Sequence, residues 1–359
     1  MPSSICSTSR SIHGSAVPDS TPLLDVRDLR VSFHTEAGLV RAVDGVSFTV
    51  DEGETLGVVG ESGSGKTVSM MAVMRLIRDP NAVVEGQVLL RGRDLMQLAA
   101  GEMRSVRGGD VAMIFQDPMT ALTPVYTVGW QIDEQLRAHG KVSKRAARDR
   151  TVELLAEVGI SNPRRRADAY PHEFSGGMRQ RVMIAMALSS SPSLLIADEP
   201  TTALDVTIQA QILELMRRLQ QDHGSSILLI THDMGVVAEL AERIVVMYAG
   251  SIVEEGPRSR LFRDPQHPYT WGLLGSIPRV DRGRVRRLTA IPGAPPSMLA
   301  LPPGCRFEPR CRHRFEKCST RPELAERAGP GRKDACHLDP DVRAALRQSS
   351  LGGAQEARA

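Results

Sequence analysis

The chain has 359 residues, a net charge of only +3 at pH 7 and 4% aromatic residues, and a length of this order accommodates one full core plus a smaller second unit. The weak charge argues against an electrostatic nucleic-acid-binding surface, and the few aromatic residues argue against a base-stacking surface. No apolar run approaches the roughly 18 residues that a membrane-spanning helix needs. Residues 1–22 are rich in Ser and lack the apolar stretch of a signal peptide, so we expect a disordered tail on a cytoplasmic protein.

The first chemical motif in chain order is a phosphate-binding loop. Gly60–Thr67 reads Gly-Glu-Ser-Gly-Ser-Gly-Lys-Thr and matches the pattern G-x-x-x-x-G-K-[ST] at every position. It lies between an apolar strand candidate, Thr55–Val59, and an apolar helical stretch, Val68–Ile77. The backbone N–H groups of such a loop converge on one anion, Lys66 is expected to reach the β- and γ-phosphates, and Thr67 is expected to bind Mg²⁺. The predicted nucleotide-binding residues of this loop are Gly60, Glu61, Ser62, Gly63, Ser64, Gly65, Lys66 and Thr67.

Strand and helix candidates alternate along most of the chain. The strand candidates, besides the one before the loop, are Leu24–Phe33, Val46–Val50, Val88–Leu90, Val111–Phe115, Leu194–Ala197, Ile227–Ile230 and Ile244–Met247. Between them, Tyr126–Ala169 reads as a charged helical insertion, and a later helix carries one apolar face and closes at Gly224. This alternation predicts an α/β core with a largely parallel sheet.

A second motif supplies carboxylates. The apolar run Leu194–Ala197 ends in Asp198 and Glu199. A buried strand would deliver Asp198 beside the phosphate-binding loop, where it holds Mg²⁺ through the water shell of the ion. Glu199 would then point toward the γ-phosphate and act as the general base for the attacking water.

The segment Phe174–Gln180, which lies between these two motifs, resembles the L-S-G-G-Q signature of the nucleotide-binding subunits of ABC transporters. Phe174 and Met178 depart from that signature, whereas the Ser-Gly-Gly core is intact. The resemblance implies a P-loop NTPase fold of the ABC type, with a RecA-like core, a helical subdomain and an antiparallel β part. It also implies that Ser175, Gly176 and Gly177 cap the nucleotide of a partner subunit.

The same resemblance assigns roles to four further residues. Gln116 matches the glutamine that senses Mg²⁺ and links the catalytic site to the membrane subunit, and Asp205 lies in the loop that crosses the dimer interface. His232 matches the histidine that contacts the γ-phosphate. Phe33 matches the aromatic residue on which adenine stacks, with a core-facing strand residue as the alternative. With Glu199, Gln116 and His232 all present, the resemblance predicts ATP hydrolysis.

Segments near the C-terminus are similar to those of oligopeptide and dipeptide importer ATPases. Asp264–Thr270 contains His-Pro-Tyr-Thr, Pro303–Cys311 carries a Cys-bearing element, and Phe115–Leu122 is similar to the glutamine loop of that subfamily. We therefore divide the chain into a tail, an ABC ATPase domain, a small Cys-containing extension and a polar tail, at residues 1–22, 23–274, 275–338 and 339–359.

Four of the five cysteines lie in this extension, at Cys305, Cys311, Cys318 and Cys336. Their spacing contains none of the close pairs that structural zinc sites use. The resemblance implies a [4Fe–4S] cluster at these positions, with zinc and free thiols as alternatives. His337 is a further candidate ligand.

The resemblance thus implies an ATP-binding and ATP-hydrolysing subunit of a bacterial importer of dipeptides or oligopeptides, on the cytoplasmic face of the inner membrane. Its implied partners are a second ATPase subunit (a distinct one or a second copy), two membrane permeases and an extracytoplasmic peptide-binding protein. The alternatives are an importer of nickel or another small solute, and a soluble ABC ATPase without a transport role.

Overall fold

The computed structural model describes residues 21–202, 204–277 and 291–352, so nearly all of the predicted N-terminal tail lies outside the described residues. The strands are β1 (Leu24–Thr35), β2 (Gly38–Val50), β3 (Thr55–Val59), β4 (Ala82–Leu90), β5 (Arg93–Asp94), β6 (Val111–Ile114), β7 (Leu194–Asp198), β8 (Ser226–Thr231), β9 (Arg243–Tyr248), β10 (Ser251–Pro257), β11 (Ala325–Glu326) and β12 (Lys333–Asp334).

The helices interleave with these strands. They are α1 (Lys66–Val73), α2 (Ala100–Ser105), α3 (Pro118–Ala121), α4 (Val128–His139), α5 (Lys144–Glu157), α6 (Pro163–Arg166), α7 (Gly176–Leu188), α8 (Val206–His223), α9 (Met234–Leu240), α10 (Arg258–Arg263), α11 (Pro268–Gly275) and α12 (Pro340–Gly352).

Two sheets organise the fold. An antiparallel sheet has the order β2-β1-β4-β5, and a larger sheet has the order β11-β12-β10-β9-β3-β8-β7-β6. In the larger sheet, the strands from β9 to β6 are parallel, and β10 and β12 are antiparallel to their neighbours. The predicted α/β class, with a parallel core and a separate antiparallel part, is confirmed.

The parallel strands are apolar because both of their faces are covered. Every residue of β3, β7 and β8 is buried. Since β3 lies between β9 and β8, with β7 next in order, the segments that follow β3, β7 and β8 emerge at one edge of the sheet. This edge receives the phosphate-binding loop, the two carboxylates and His232.

The predicted helical insertion contains α4, α5 and α6, and it has a core of its own. Buried apolar residues of α4 and α5, such as Ile132 and Leu154, pack with residues of α7 and α8. Helix α8 begins at an N-cap in which Asp205 Oδ1 accepts a hydrogen bond from Ile208 N (2.9 Å), and it ends at Gly224, whose φ is +66°.

The C-terminal extension joins the central sheet through β12, which pairs with β10. Residues 340–352, predicted to be part of a polar, frayed tail, instead form α12, because Arg343 is fully buried and its Nη1 lies 2.9 Å from Asp334 Oδ1. The division of the chain into four parts stays a prediction. Among the helices of the described residues, none combines the length and the apolarity needed to cross a bilayer.

Candidate nucleotide site

The phosphate-binding loop connects the buried end of β3 to the first residue of α1. Glycine is required at Gly65, whose φ is +99°, because a Cβ there would approach the carbonyl oxygen of Ala42 to 2.5 Å. The Lys66 ammonium is buried and donates to the carbonyl oxygens of Gly60 (2.7 Å) and Glu61 (2.9 Å). Burial lowers the pKa of Lys66. The Lys66 ammonium therefore lies inside the loop that we predict to bind the phosphates.

The end of β7 brings a carboxylate to the start of α1. Thr67 Oγ1 donates to Asp198 Oδ1 at 3.1 Å, although the two residues are 131 positions apart in sequence. Burial, together with the charge of Glu199, raises the pKa of Asp198. A hydroxyl and a carboxylate oxygen are the hard donors that Mg²⁺ prefers, so this pair fits the predicted ion.

Glu199 has the most constrained backbone in the site. Its φ is +48°, in the left-handed region that non-glycine residues rarely adopt. Its backbone N–H donates to the carbonyl oxygen of Ile230 (2.8 Å), the residue before the end of β8, which holds the strained turn in place. Such strain is common where a side chain must be aimed at a reacting group.

Three side chains hold the Glu199 carboxylate. Gln116 Nε2 donates to Oε2 (3.1 Å), Thr202 Oγ1 donates to the same oxygen (2.9 Å), and His232 Nδ1 lies 3.0 Å from Oε1. Burial alone would raise the pKa of Glu199, but the hydrogen bonds from His232 and Thr202 outweigh it and the pKa lies below its usual value. The carboxylate is therefore ionised and oriented, as a general base must be.

The sequence therefore predicts three groups that the structure brings together: Gln116, Glu199 and His232. In the structure, Gln116 is hydrogen-bonded to Glu199. The predicted role of Gln116 as an Mg²⁺ ligand stays a prediction. Thr202 was missed by sequence reasoning. A hydroxyl residue three positions after the glutamate is the only local signal that could have indicated it.

Other predicted residues lie away from this carboxylate. Phe33 is half-buried on β1 and packs against the core between the sheets, so its stacking on adenine stays a prediction. Ser175 is the N-cap of α7, and Ser175 and Gly176 are exposed. The predicted role of Ser175, Gly176 and Gly177 in capping the nucleotide of a partner stays a prediction.

The described structure gives no support for the predicted cluster at the cysteines. All four are free thiols, and among the described residues no three Cys, His, Asp or Glu side chains group so that they could hold a metal ion. Burial raises the pKa of Cys311 to about 12 and that of Cys336 to about 11, so in the metal-free chain these groups are protonated thiols. The iron–sulfur cluster and the zinc site therefore stay without support in the described part of the chain.

Two family models match the chain. The model of the ABC transporter family covers residues 43–202, and the model of the oligopeptide/dipeptide transporter C-terminal region covers residues 253–318. The first match contains the phosphate-binding loop and the carboxylates, and the second contains α11 and three of the four cysteines.

Curated proteins and solved structures resemble the chain. The oligopeptide transport ATP-binding protein OppD of Bacillus subtilis is 57% identical over 288 residues, covering 80% of each chain. The dipeptide transport ATP-binding protein DppD of Bacillus subtilis is 54% identical over 297 residues, covering 82% of this chain and 88% of DppD. The dimeric ATP-binding cassette MJ0796, in a post-hydrolysis state with ADP and Pi, superposes with a TM-score of 0.59 and 27% identity, covering 66% of this chain and 98% of MJ0796.

Proposed function

The chain belongs to the family of ABC transporter ATP-binding proteins, and we propose that it hydrolyses ATP to energise the import of dipeptides or oligopeptides through separate membrane subunits. OppD and DppD of Bacillus subtilis are named for oligopeptide and dipeptide transport, which favours peptides over nickel and favours transport over a soluble role.

One observation carries the proposal. The last residue of the phosphate-binding loop, Thr67, is hydrogen-bonded to Asp198, and the next residue of the chain, Glu199, is held by Gln116 and His232. Phosphate binding, cation binding and proton abstraction are therefore adjacent at one sheet edge, which is the arrangement that hydrolysis of a nucleoside triphosphate requires.

In this mechanism, the loop N–H groups and Lys66 bind the phosphates, and Thr67 and Asp198 hold Mg²⁺. When bound, the ion neutralises charge on the transferred phosphoryl group. Glu199 orients a water molecule and accepts its proton, while His232 fixes the carboxylate and is predicted to contact the γ-phosphate.

The proposal includes a second ATPase subunit, either a distinct chain or a second copy. The exposed Ser175 and Gly176 begin α7, so their backbone N–H groups are free to cap a phosphate held by the partner. Asp205, which caps α8, lies in the loop that we predict at the contact between the subunits. ATP binding would then close the pair, and hydrolysis would reopen it.

Large apolar side chains lie exposed on and after the glutamine loop, and we define them as the docking patch. The patch consists of Phe115, Met119, Val125, Tyr126 and Trp130. Tyr126 and Trp130 stack at 4.0 Å between ring centroids. Because several large exposed apolar side chains along one segment mark a protein contact, we propose that the docking patch binds the permeases at the cytoplasmic face of the inner membrane. An extracytoplasmic binding protein would select the peptide.

The small molecules in the proposal are ATP and Mg²⁺. An iron–sulfur cluster is left out, since the four thiols form no metal-holding group among the described residues.

Peptide uptake by cells tests the proposal. A strain that lacks this chain is complemented with the unaltered chain, with Lys66→Ala, or with Lys144→Ala, which removes an exposed lysine of α5. We expect labelled dipeptide or tripeptide uptake to return with the unaltered chain and the Lys144 variant, and to stay at background with Lys66→Ala. Uptake of nickel without peptide uptake, or peptide uptake by the Lys66 variant, would contradict the proposal.

A further inference from the structure

The second residue of the phosphate-binding loop is held by residues from the C-terminal part of the chain. Arg310 binds the Glu61 carboxylate through two nitrogens, with Nη1 2.6 Å from Oε2 and Nη2 3.0 Å from Oε1. The backbone N–H of Glu61 donates to the hydroxyl oxygen of Tyr269 at 2.8 Å. Thus both the side chain and the backbone of Glu61 have partners more than 200 residues away in sequence.

These two partners are themselves fixed. Arg310 is 7% exposed, its Nε donates to the carbonyl oxygen of Pro292 (2.9 Å), and its guanidinium lies over the ring of Tyr248 at 5.8 Å. Tyr269 is fully buried, and its ring packs against Tyr248 at 4.6 Å and Phe307 at 5.4 Å. Because neither group is free to move, the C-terminal segment determines where Glu61 lies.

A second route joins the same segment to the loop. Arg306, next to Cys305, donates to the carbonyl oxygen of Ala249 and to the Asp44 carboxylate. The residue after Ala249, Gly250, donates its N–H to the carbonyl oxygen of Ser64 at 2.9 Å. The Cys-bearing segment therefore contacts the loop at Glu61 directly and at Ser64 through one intermediate turn.

The ion pair between Arg310 and Glu61 affects the charge that the phosphates of ATP meet. Glu61 places a carboxylate inside a loop that binds a polyanion, and an unpaired negative charge there would repel the phosphates. The bidentate arginine neutralises that charge and holds the loop N–H groups in one conformation.

We infer that Arg310 and Tyr269 are positioning residues of the ATP site. They act through Glu61, and they couple the folding of α11 and of the segment Pro303–Cys311 to the affinity for nucleotide. This inference depends on the proposed ATP binding. By linkage, a nucleotide that prefers the ordered loop also stabilises the segment that holds it.

Nucleotide affinity in a double-mutant cycle tests the inference. The dissociation constant for Mg-ATP is measured for the unaltered chain, Arg310→Met, Glu61→Gln and the double variant. Arg314→Met is the control, because Arg314 is an exposed arginine that forms an ion pair with Glu308. We expect Arg310→Met to weaken binding about tenfold. In the Glu61→Gln background, where the carboxylate that Arg310 holds is already gone, we expect less than about a threefold effect. The change should fall on Kd and KM more than on kcat.

A second variant keeps the inference testable if Arg310→Met does not fold. Tyr269→Phe removes only the hydroxyl that accepts from Glu61, and we expect ATP binding to weaken severalfold, by about the value of one hydrogen bond. Unchanged Kd values in Tyr269→Phe and Arg310→Met, or equal Arg310→Met effects in both backgrounds, would overturn the inference and leave the proposed function intact. Absence of ATP binding by the unaltered chain would overturn both.

Discussion

The carboxylate of Glu199 and the imidazole of His232 are paired, with Nδ1 of the histidine 3.0 Å from Oε1 of the glutamate. The two residues follow adjacent parallel strands, β7 and β8, so the sheet itself sets their separation. A hydrogen-bonding partner of this kind keeps the carboxylate ionised and oriented, while the second oxygen is held by Gln116 and Thr202.

Removing the histidine should slow hydrolysis without abolishing ATP binding. In His232→Ala the carboxylate loses one partner and the expected contact to the γ-phosphate, so we expect kcat to fall by about 100-fold, within the range for acid–base groups. Steady-state phosphate release measures this. His337→Ala, which removes a histidine outside the site, is the control, and a kcat equal to that of the unaltered chain would contradict the assigned role.

A buried ion pair anchors the C-terminal helix. Arg343 pairs with Asp334 at 2.9 Å, and both side chains are essentially inaccessible to solvent. Since loss of Arg343 leaves the buried Asp334 with only the more distant Arg327 (3.4 Å) as an ion partner among the described residues, we expect Arg343→Met to lower the free energy of unfolding by about 3 kcal/mol. Urea denaturation measures the change, and Arg260→Met on an exposed position of α10 should change it by less than about 0.5 kcal/mol. Equal losses in the two variants would contradict the anchoring role.

His267 should make the fold sensitive to acid. Its Nδ1 accepts the N–H of Tyr269 (3.1 Å), and burial, with the charge of Arg343, lowers its pKa to about 3. Below pH 6.5, His267 is therefore protonated in the unfolded chain but stays neutral in the folded chain. The free energy of unfolding falls as the pH decreases from 6.5 toward 3.

His267→Asn keeps a capping acceptor and removes this titration. Between pH 6.5 and pH 5, the unaltered chain should lose about 1.5 kcal/mol more stability than the variant. Burial raises the pKa of the neighbouring Glu254 to about 7, which gives a slope of opposite sign in both proteins, so the difference between them isolates the histidine. Parallel stability profiles from urea denaturation at each pH would show that His267 does not titrate as described.

The docking patch should be needed for permease binding and not for nucleotide binding. Trp130→Asp places a charge in the exposed stack with Tyr126, so we expect loss of co-purification with the membrane subunits while the isolated chain still binds ATP. Val342→Asp, at another exposed apolar position, is the control. Normal co-purification of the Trp130 variant would exclude this patch as the permease contact.

The residues that the sequence predicts well are those whose roles are local. Lys66 and Thr67 are identified by the spacing of one loop, and Asp198 and Glu199 by the end of one apolar strand. Gly224 is recognisable as the end of α8 because capping depends on residues within one turn.

Residues that act across the fold could not be predicted in this way. Arg310 and Tyr269 contact Glu61 from 249 and 208 residues away, and no spacing rule brings such pairs together. The burial of Arg343 likewise depends on tertiary packing, because a polar segment with several arginines gives no sign of which one is buried. The cysteines are a further case, because their pattern predicts a cluster for which the described structure shows no metal-holding group.

Glu199→Gln tests the central claim most directly. The variant keeps the shape of the side chain and removes the base, so with Mg²⁺ and the partner subunit we expect it to retain ATP and to hydrolyse it at least about 100-fold more slowly. Glu153→Gln, at an exposed position of α5, should behave like the unaltered chain. Hydrolysis by Glu199→Gln at the rate of the unaltered chain would contradict the account, because the base would then lie elsewhere.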